Sequence, residues 1–294
     1  MLMIQFIRGF LMATADSVPG VSGGTIAFIL GFYDKFIQSI NDLISGTKEN
    51  RIIAIKFLLK IGAGWIVGLI LSILFIASIF EEHIYQISSV FLGLIIVSIP
   101  FIIKDEKETL KQDYKSLYFI LIGILIVFLI TYFNPLTGNG VDGSYENITL
   151  VLSLTVLFAG MIAISAMVLP GISGSTILLI MGLYGTIINS IKEVLHFNFA
   201  YVPIMIIFGI GVIVGAFVTI KGVRFTLSNY RSKTIYLIIG LMLGSIYAVI
   251  EGPQSLEIPK ASLSFDTFYI FYFILGGLII LGLNYSRVYL ETKK

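Results

Sequence analysis

Long apolar stretches separated by short polar runs fill most of this chain, and their lengths set the first expectation. Segments near residues 53–80, 86–103, 116–133, 202–220, 234–250 and 268–286 are apolar enough to cross a hydrocarbon core of about 30 Å as helices. Two further apolar regions, at the N-terminus and from Leu150 to Leu169, run into the same interrupting phrase. It reads Val18-Pro19-Gly20-Val21-Ser22-Gly23-Gly24-Thr25-Ile26 and then Leu169-Pro170-Gly171-Ile172-Ser173-Gly174-Ser175-Thr176-Ile177, with Pro170 standing 151 residues after Pro19. A helix broken inside a bilayer exposes amides and carbonyls that lipid cannot satisfy, so such breaks survive where they line a cavity or a site. A pair at matching places in two halves points to a transport site. After the first break, Thr25 to Tyr33 offers about nine apolar residues, roughly 14 Å of helix or half the core. That length predicts a re-entrant hairpin, whereas Leu150 to Leu169 is long enough to span by itself.

Three more segments repeat in the same order. Gly62-Ala63-Gly64-Trp65-Ile66-Val67-Gly68 matches Gly209-Ile210-Gly211-Val212-Ile213-Val214-Gly215, the segment from Gly93 to Ile99 matches Gly240 to Ile246, and Leu121 to Ile126 matches Ile274 to Ile279. Four ordered matches read as a fused duplication, with a first repeat over residues 1–140 and a second over 141–294. The basic residues then orient it. Lys48, Arg51 and Lys56, Lys104 to Lys115, Lys221 to Lys233, and Lys293 with Lys294 mark cytoplasmic segments, whereas the loops holding Glu81 and Glu82, Asp142 and Glu146, and Glu251, Glu257 and Asp266 are acidic or neutral. Each half has three crossings and so ends opposite to where it began. The expected fold is therefore an all-α polytopic membrane protein built as an inverted-topology repeat, with six full crossings and two broken, re-entrant hairpins, or up to ten crossings if the hairpin arms span. Its C-terminus is expected in the cytoplasm.

Composition narrows the function classes. With 57% hydrophobic and 12% charged residues and a mean hydropathy of +1.00, the chain is no soluble domain. It has no cysteine, which excludes disulfides and thiolate metal sites, and its two histidines, His83 and His196, sit beside acidic residues in predicted loops as solvated side chains. No metal, cofactor or nucleic acid is expected. Ala13-Thr14-Ala15 resembles a signal-peptidase site, but Arg8 interrupts the apolar run ahead of it, so the N-terminus is read as mature protein.

The motif supplies anion chemistry. Pro19 and Pro170 end their incoming helices, and Ser22 or Ser173 can cap the outgoing ones, whose first amides lack an internal partner. Each break offers amides at a positive helix end together with hydroxyls, which suits phosphate or carboxylate. The candidate phosphate-binding residues are Ser17, Gly20, Ser22, Gly23, Gly24 and Thr25 in the first copy, and Gly171, Ser173, Gly174, Ser175 and Thr176 in the second. Close helix packing by small residues is the bland alternative, and it is the reading given to Gly62, Gly64, Gly68, Gly209, Gly211 and Gly215. Intramembrane charge is the second pointer. Arg8 and Asp16 lie on the helix entering the first break, about 80° apart around it, while the aligned positions are Ala159 and Met167. Arg8 is a candidate phosphate partner and Asp16 a candidate carrier of a coupling proton or cation. A structural ion pair between them, or an Arg8 that snorkels to the surface, is the competing reading.

The sequence from Ala15 to Thr25 and from Pro170 to Ser175 resembles the bacterial polyprenyl-phosphate transporter family called PopT, and the similarity runs along essentially the whole chain. The resemblance implies a multi-pass protein of the bacterial cell membrane that returns undecaprenyl phosphate from the outer to the inner leaflet for wall-polymer synthesis. It also implies coupling to an ion gradient, without saying whether proton or sodium. The 23 Phe and 15 Tyr residues are compatible with a groove for a prenyl tail but are equally ordinary lipid-facing residues.

Two other function classes compete. Undecaprenyl-diphosphate phosphatases also have inverted repeats, with a Pro-Gly-x-Ser-Arg-Ser motif whose arginine holds phosphate. Gly23 and Gly174 occupy that arginine's place here, and the paired membrane glutamates are missing, so hydrolysis lacks its parts. A carrier or channel for a small soluble anion uses the same opposed helix ends, and sequence does not separate it from a lipid transporter.

Overall fold

The computed structural model describes residues 2–16, 22–72, 77–132, 148–255 and 259–292. Thirteen α-helices are found among them: α1 (Leu2–Asp16), α2 (Gly23–Ile29), α3 (Tyr33–Ser45), α4 (Lys48–Leu71), α5 (Ala77–Asp105), α6 (Lys107–Gln112), α7 (Tyr118–Tyr132), α8 (Leu150–Val168), α9 (Gly174–Ile180), α10 (Tyr184–Leu195), α11 (Val202–Asn229), α12 (Arg231–Glu251) and α13 (Ile270–Thr292). There is no strand among the described residues. The chain is an all-helical, polytopic membrane protein. Six segments are long and apolar enough to cross a bilayer, carried by α4, α5, α7, α8, α11 and α12, and α13 adds a shorter apolar stretch over Ile270–Gly282.

Several boundaries differ from those the hydropathy pattern suggests. Where one crossing is expected over 53–80, α4 covers Lys48–Leu71, and residues 73–76 lie outside the described ones. Thr47 starts α4 by accepting the amide of Asn50 at 3.3 Å, as Thr149 starts α8 by accepting that of Leu152 at 3.1 Å. His83 is not in a loop. It marks a kink in α5, where its backbone leaves helical geometry (φ −112°, ψ 27°). His196 lies in the turn after α10.

After each break the chain makes a short helix and then a sharp turn. Helices α2 and α9 have seven residues each, about 10 Å at 1.5 Å per residue. Gly31 (φ 65°) and Gly182 (φ 67°) then reverse the chain into α3 and α10, and α9 meets α10 at 116°. Neither short helix reaches across a membrane, which matches the re-entrant expectation for the first hairpin.

Helices pair through backbone contact, in two sets that resemble each other. Helix α1 packs on α4 and α8 on α11, while α5 packs on α13 and α12 on α7. A Cβ on Gly64 would lie 1.9 Å from the Phe6 carbonyl oxygen, and one on Gly211 would lie 2.2 Å from that of Leu157. Gly68 faces Phe10 as Gly215 faces Met161. Gly93 meets Phe273 and Gly240 meets Ile120, and the reverse contacts are Gly276 on Val90 and Gly123 on Leu237. These approaches exclude side chains, since lipid drives no hydrophobic association and close packing must hold the helices. Gly62 and Gly209, also expected to pack, have nothing within 4 Å of a Cβ and face outward.

Helix α12 is the most enclosed span, 67% buried against 17% for Tyr114–Tyr132 and 22% for Phe199–Asn229, so α7 and α11 form the lipid-facing flanks. At one end of the bundle Arg231 bonds Glu106, and its Nη1 reaches Asp34 Oδ2 at 2.8 Å. This cluster ties the starts of α3 and α12 to the end of α5. Elsewhere the Tyr85 hydroxyl donates to the Ala261 carbonyl at 3.0 Å, fixing α5 to the segment before α13.

These contacts give a paired prediction. Gly64→Ala and Gly211→Ala should each destabilise the protein by about 1–3 kcal/mol, because α1 or α8 must move away. Gly62→Ala and Gly209→Ala should be neutral or gain up to about 1 kcal/mol of helix propensity. Thermal melts in detergent compare all four, and equal stabilities would refute the close-approach role.

Candidate functional site

The first break is finished by its own helix's carboxylate. Helix α1 stops at Asp16, and residues 17–21 lie outside the described ones, including the candidates Ser17 and Gly20. Ser22 is extended (φ −131°, ψ 150°) and caps α2, its hydroxyl accepting the Thr25 amide at 3.2 Å. Asp16 Oδ1 accepts the Gly23 amide at 2.7 Å, and Oδ2 accepts Trp65 Nε1 from α4 at 3.2 Å. An acceptor at the start of α2 is thus supplied by the chain itself, at the helix end whose dipole favours negative charge. A Cβ on Gly23 would lie 2.7 Å from Asp16 Oδ2, so only glycine lets the carboxylate this close.

The second break has the same backbone plan and different chemistry. Gly171 takes φ 93°, and a Cβ there would also press on the Leu241 carbonyl oxygen at 2.5 Å. Ser173 precedes α9 in an extended conformation but makes no side-chain cap, contrary to expectation. Its hydroxyl bonds that of Ser175 at 2.8 Å instead. Met167 takes the place of Asp16: a Cβ on Gly174 would meet its Cγ at 2.5 Å and its Sδ at 2.9 Å. No carboxylate sits there, and α9 begins with a hydroxyl pair in its place.

The two breaks meet. Thr25 Oγ1 accepts the Gly171 amide at 2.8 Å, the Ser22 hydroxyl donates to the Leu169 carbonyl at 3.3 Å, and the Tyr33 hydroxyl donates to the Val168 carbonyl at 3.0 Å. Helix α8 ends without intrahelical partners for its last carbonyls, and donors from the first half take two of them. Gly24 packs against the same turn, where a Cβ would lie 2.7 Å from the Val168 oxygen. Ser22, Gly23, Gly24, Thr25, Gly171, Ser173 and Gly174 are all buried in this junction, while Ser175 and Thr176 are half-buried.

Arg8 is placed elsewhere. Its Nη1 donates to Gln5 Oε1 at 3.3 Å, and its guanidinium sits 4.7 Å from the ring centroid of Phe32. Phe32 follows the far end of α2, and Arg8 is about 12 Å from Asp16 along α1 at 1.5 Å per residue. The structure therefore brings Asp16 to the motif and leaves Arg8 beside the hairpin's return. Among the described residues no group of three or more His, Asp or Glu side chains gathers to hold a metal.

Sequence reasoning missed Trp65 and Tyr33 as parts of this junction. Tyr33 had a signal, since Leu30-Gly31-Phe32-Tyr33 and Met181-Gly182-Leu183-Tyr184 place a tyrosine alike after both short helices. Trp65 had none, because its aligned partner is Val212.

The junction predicts a hydroxyl dependence. Thr25→Val strands the buried Gly171 amide and should destabilise the protein by about 1–3 kcal/mol, whereas Thr25→Ser keeps the acceptor and should sit near wild type. Thermal unfolding of the two variants checks this, and matching losses would assign the effect to packing instead.

Comparison with known proteins places the chain. A model of the VCA0040-like family, described as undecaprenyl phosphate translocase-like, matches residues 12–266. A protein of Staphylococcus aureus (strain NCTC 8325 / PS 47) named polyprenyl-phosphate transporter is 37% identical over 255 residues, covering 85% of this chain and 86% of that one. One of Vibrio cholerae serotype O1 (strain ATCC 39315 / El Tor Inaba N16961) with the same name is 32% identical over 262 residues, covering 86% of this chain and 79% of the relative. No solved structure matches. With a family match over most of its length and two such relatives, this chain belongs to the undecaprenyl phosphate translocase-like family.

Proposed function

We propose that this protein is a transporter, not an enzyme, and that it carries polyprenyl phosphate across the bacterial cell membrane, returning undecaprenyl phosphate to the inner leaflet under an ion gradient. The observation that carries the reading is the bonded junction of two helix breaks inside a membrane protein whose relatives are named polyprenyl-phosphate transporters.

The helix pairing supports a twofold relation between a first repeat over residues 1–140 and a second over 141–294. Exchanging the halves sends α5 to α12 and α13 to α7, so the pair α5 with α13 becomes the pair α12 with α7, and a second exchange restores it. Three crossings per half turn that twofold into an inverted repeat. The ion cluster of Asp34, Glu106 and Arg231 gathers segments that the basic residues assign to the cytoplasm, so α1 enters and α2 returns on that side.

The lipid's phosphate is held at the junction by the candidate residues from Ser17 to Thr25 and from Gly171 to Thr176, and its prenyl chain stays in the bilayer. The second break is the more receptive copy. Asp16 and Ser22 already occupy the amides of Gly23 and Thr25, whereas the hydroxyls of Ser173 and Ser175 are engaged with each other and Thr176 is half-buried. Arg8 meets the phosphate on the cytoplasmic side of the hairpin, and Asp16 carries the coupling ion, its carboxylate tied to the first break.

The test is movement of undecaprenyl phosphate between leaflets of vesicles containing the purified protein, under a proton or sodium gradient. Accelerated lipid movement is expected. Small-anion flux without lipid movement, or release of phosphate from undecaprenyl diphosphate, would replace the reading with a soluble-anion carrier or a phosphatase. Arg8→Ala should slow lipid movement without lowering thermal stability, and unchanged transport refutes its contact. Asp16→Asn keeps an acceptor for the Gly23 amide, so it should leave a folded protein whose transport no longer follows the coupling gradient. An unaltered gradient dependence would remove Asp16 from that role.

A further inference from the structure

One polar contact breaks the correspondence between the halves. Helix α8 joins helix α11 through the hydroxyls of Ser165 and Thr219, 2.6 Å apart, with Ser165 also donating to the Met161 carbonyl at 2.7 Å. The aligned pair in the first half is Thr14 on α1 and Ser72 at the end of α4. Thr14 makes the matching bond to its own helix, donating to the Phe10 carbonyl at 3.0 Å. Ser72 is 3% exposed, and its hydroxyl has no hydrogen-bond partner among the described residues.

The missing bond is not a matter of distant helices. One turn earlier the two pairs approach alike: a Cβ on Gly68 would meet the Ala13 Cβ at 3.0 Å, and one on Gly215 would meet Ile164 Cγ2 at 2.7 Å. The difference therefore begins beyond that turn. There α11 continues from Thr219 to Asn229, and Ser72 is the last described residue of its own segment. A buried hydroxyl without a partner is costly and calls for an explanation.

We infer that the Ser165–Thr219 and Thr14–Ser72 hydroxyl pairs are alternating latches, one closed in each of two states that exchange the conformations of the halves. This rests on the transport reading and its inverted repeat. In the state described here the second half is latched and the first is open. In the opposite state Ser72 donates to Thr14 and Ser165 releases Thr219. Thr14 and Ser165 each sit on the helix that enters a break, two residues before Asp16 and Met167, so a closed latch ties that helix to α4 or α11 beside the junction. Hydrogen bonds between membrane helices are modest enough to be exchanged without trapping either state.

The absence of native cysteine makes the test direct. Ser165→Cys with Thr219→Cys should form a disulfide readily, and Thr14→Cys with Ser72→Cys should form one in the minority state. Each oxidised pair should lose undecaprenyl-phosphate movement in phosphatidylglycerol vesicles and regain it on reduction. A variant carrying all four cysteines should hold one disulfide or the other in each molecule, read by mass spectrometry without any cargo. Both disulfides in the same molecule, no disulfide at Thr14 and Ser72, or full transport by either oxidised pair would overturn the exchange. Absence of lipid movement in the cysteine-free parent sinks the transport reading by itself, because the exclusivity of the two disulfides is decided separately.

Discussion

A helix that stops inside a bilayer leaves amides and carbonyls that no water reaches, and this protein satisfies them across the boundary between its halves. The carbonyls of Val168 and Leu169 accept hydrogen bonds from the Tyr33 and Ser22 hydroxyls, and the Gly171 amide donates one to Thr25 Oγ1. The rest of the architecture follows from that requirement. Helices α2 and α9 have to reach the same region, so the turns at Gly31 and Gly182 bring the chain back after seven helical residues. The glycines of α4 and α11 then hold α1 and α8 at backbone distance, which keeps both broken ends where the partner needs them.

Near-symmetry at the junction makes its differences informative. Asp16 and Met167 occupy equivalent places, yet one neutralises a helix start and the other packs against it. Ser22 caps its helix and Ser173 does not. Hydroxyls of the first copy, Ser22 and Thr25, bond the backbone of the second break, while Ser173 and Ser175 of the second copy bond each other. Equal motif residues thus carry unequal duties.

Much of this was legible because proline and glycine act locally. The breaks, the short helices after them and the ordered segment matches could be read from the order of residues. What could not be read depends on which helices touch. Nothing in the sequence marks Trp65 as the partner of Asp16, or assigns Thr25 to an amide 146 positions away. Gly62 and Gly64 look alike as text, but a helix turns about 200° between them, so one faces α1 and the other open space. Arg8 shows a second effect of spacing. The spacing that sets it about 80° from Asp16 around the helix also sets it about 12 Å away along the axis, which decides that it stands beside Phe32 and not at the break.

The exchange of partners between halves bears on how the protein is made. Helix α5 packs on α13 and α7 on α12, so two helices of the first half have their main neighbours in the second. During synthesis both must enter the membrane well before those neighbours exist, with Gly93 and Gly123 presenting bare backbone to lipid or to the insertion machinery. Assembly is therefore completed late, when α13 arrives and closes the last glycine-lined seam. A chain truncated before that helix leaves an open flank on α5, with Gly93 uncovered.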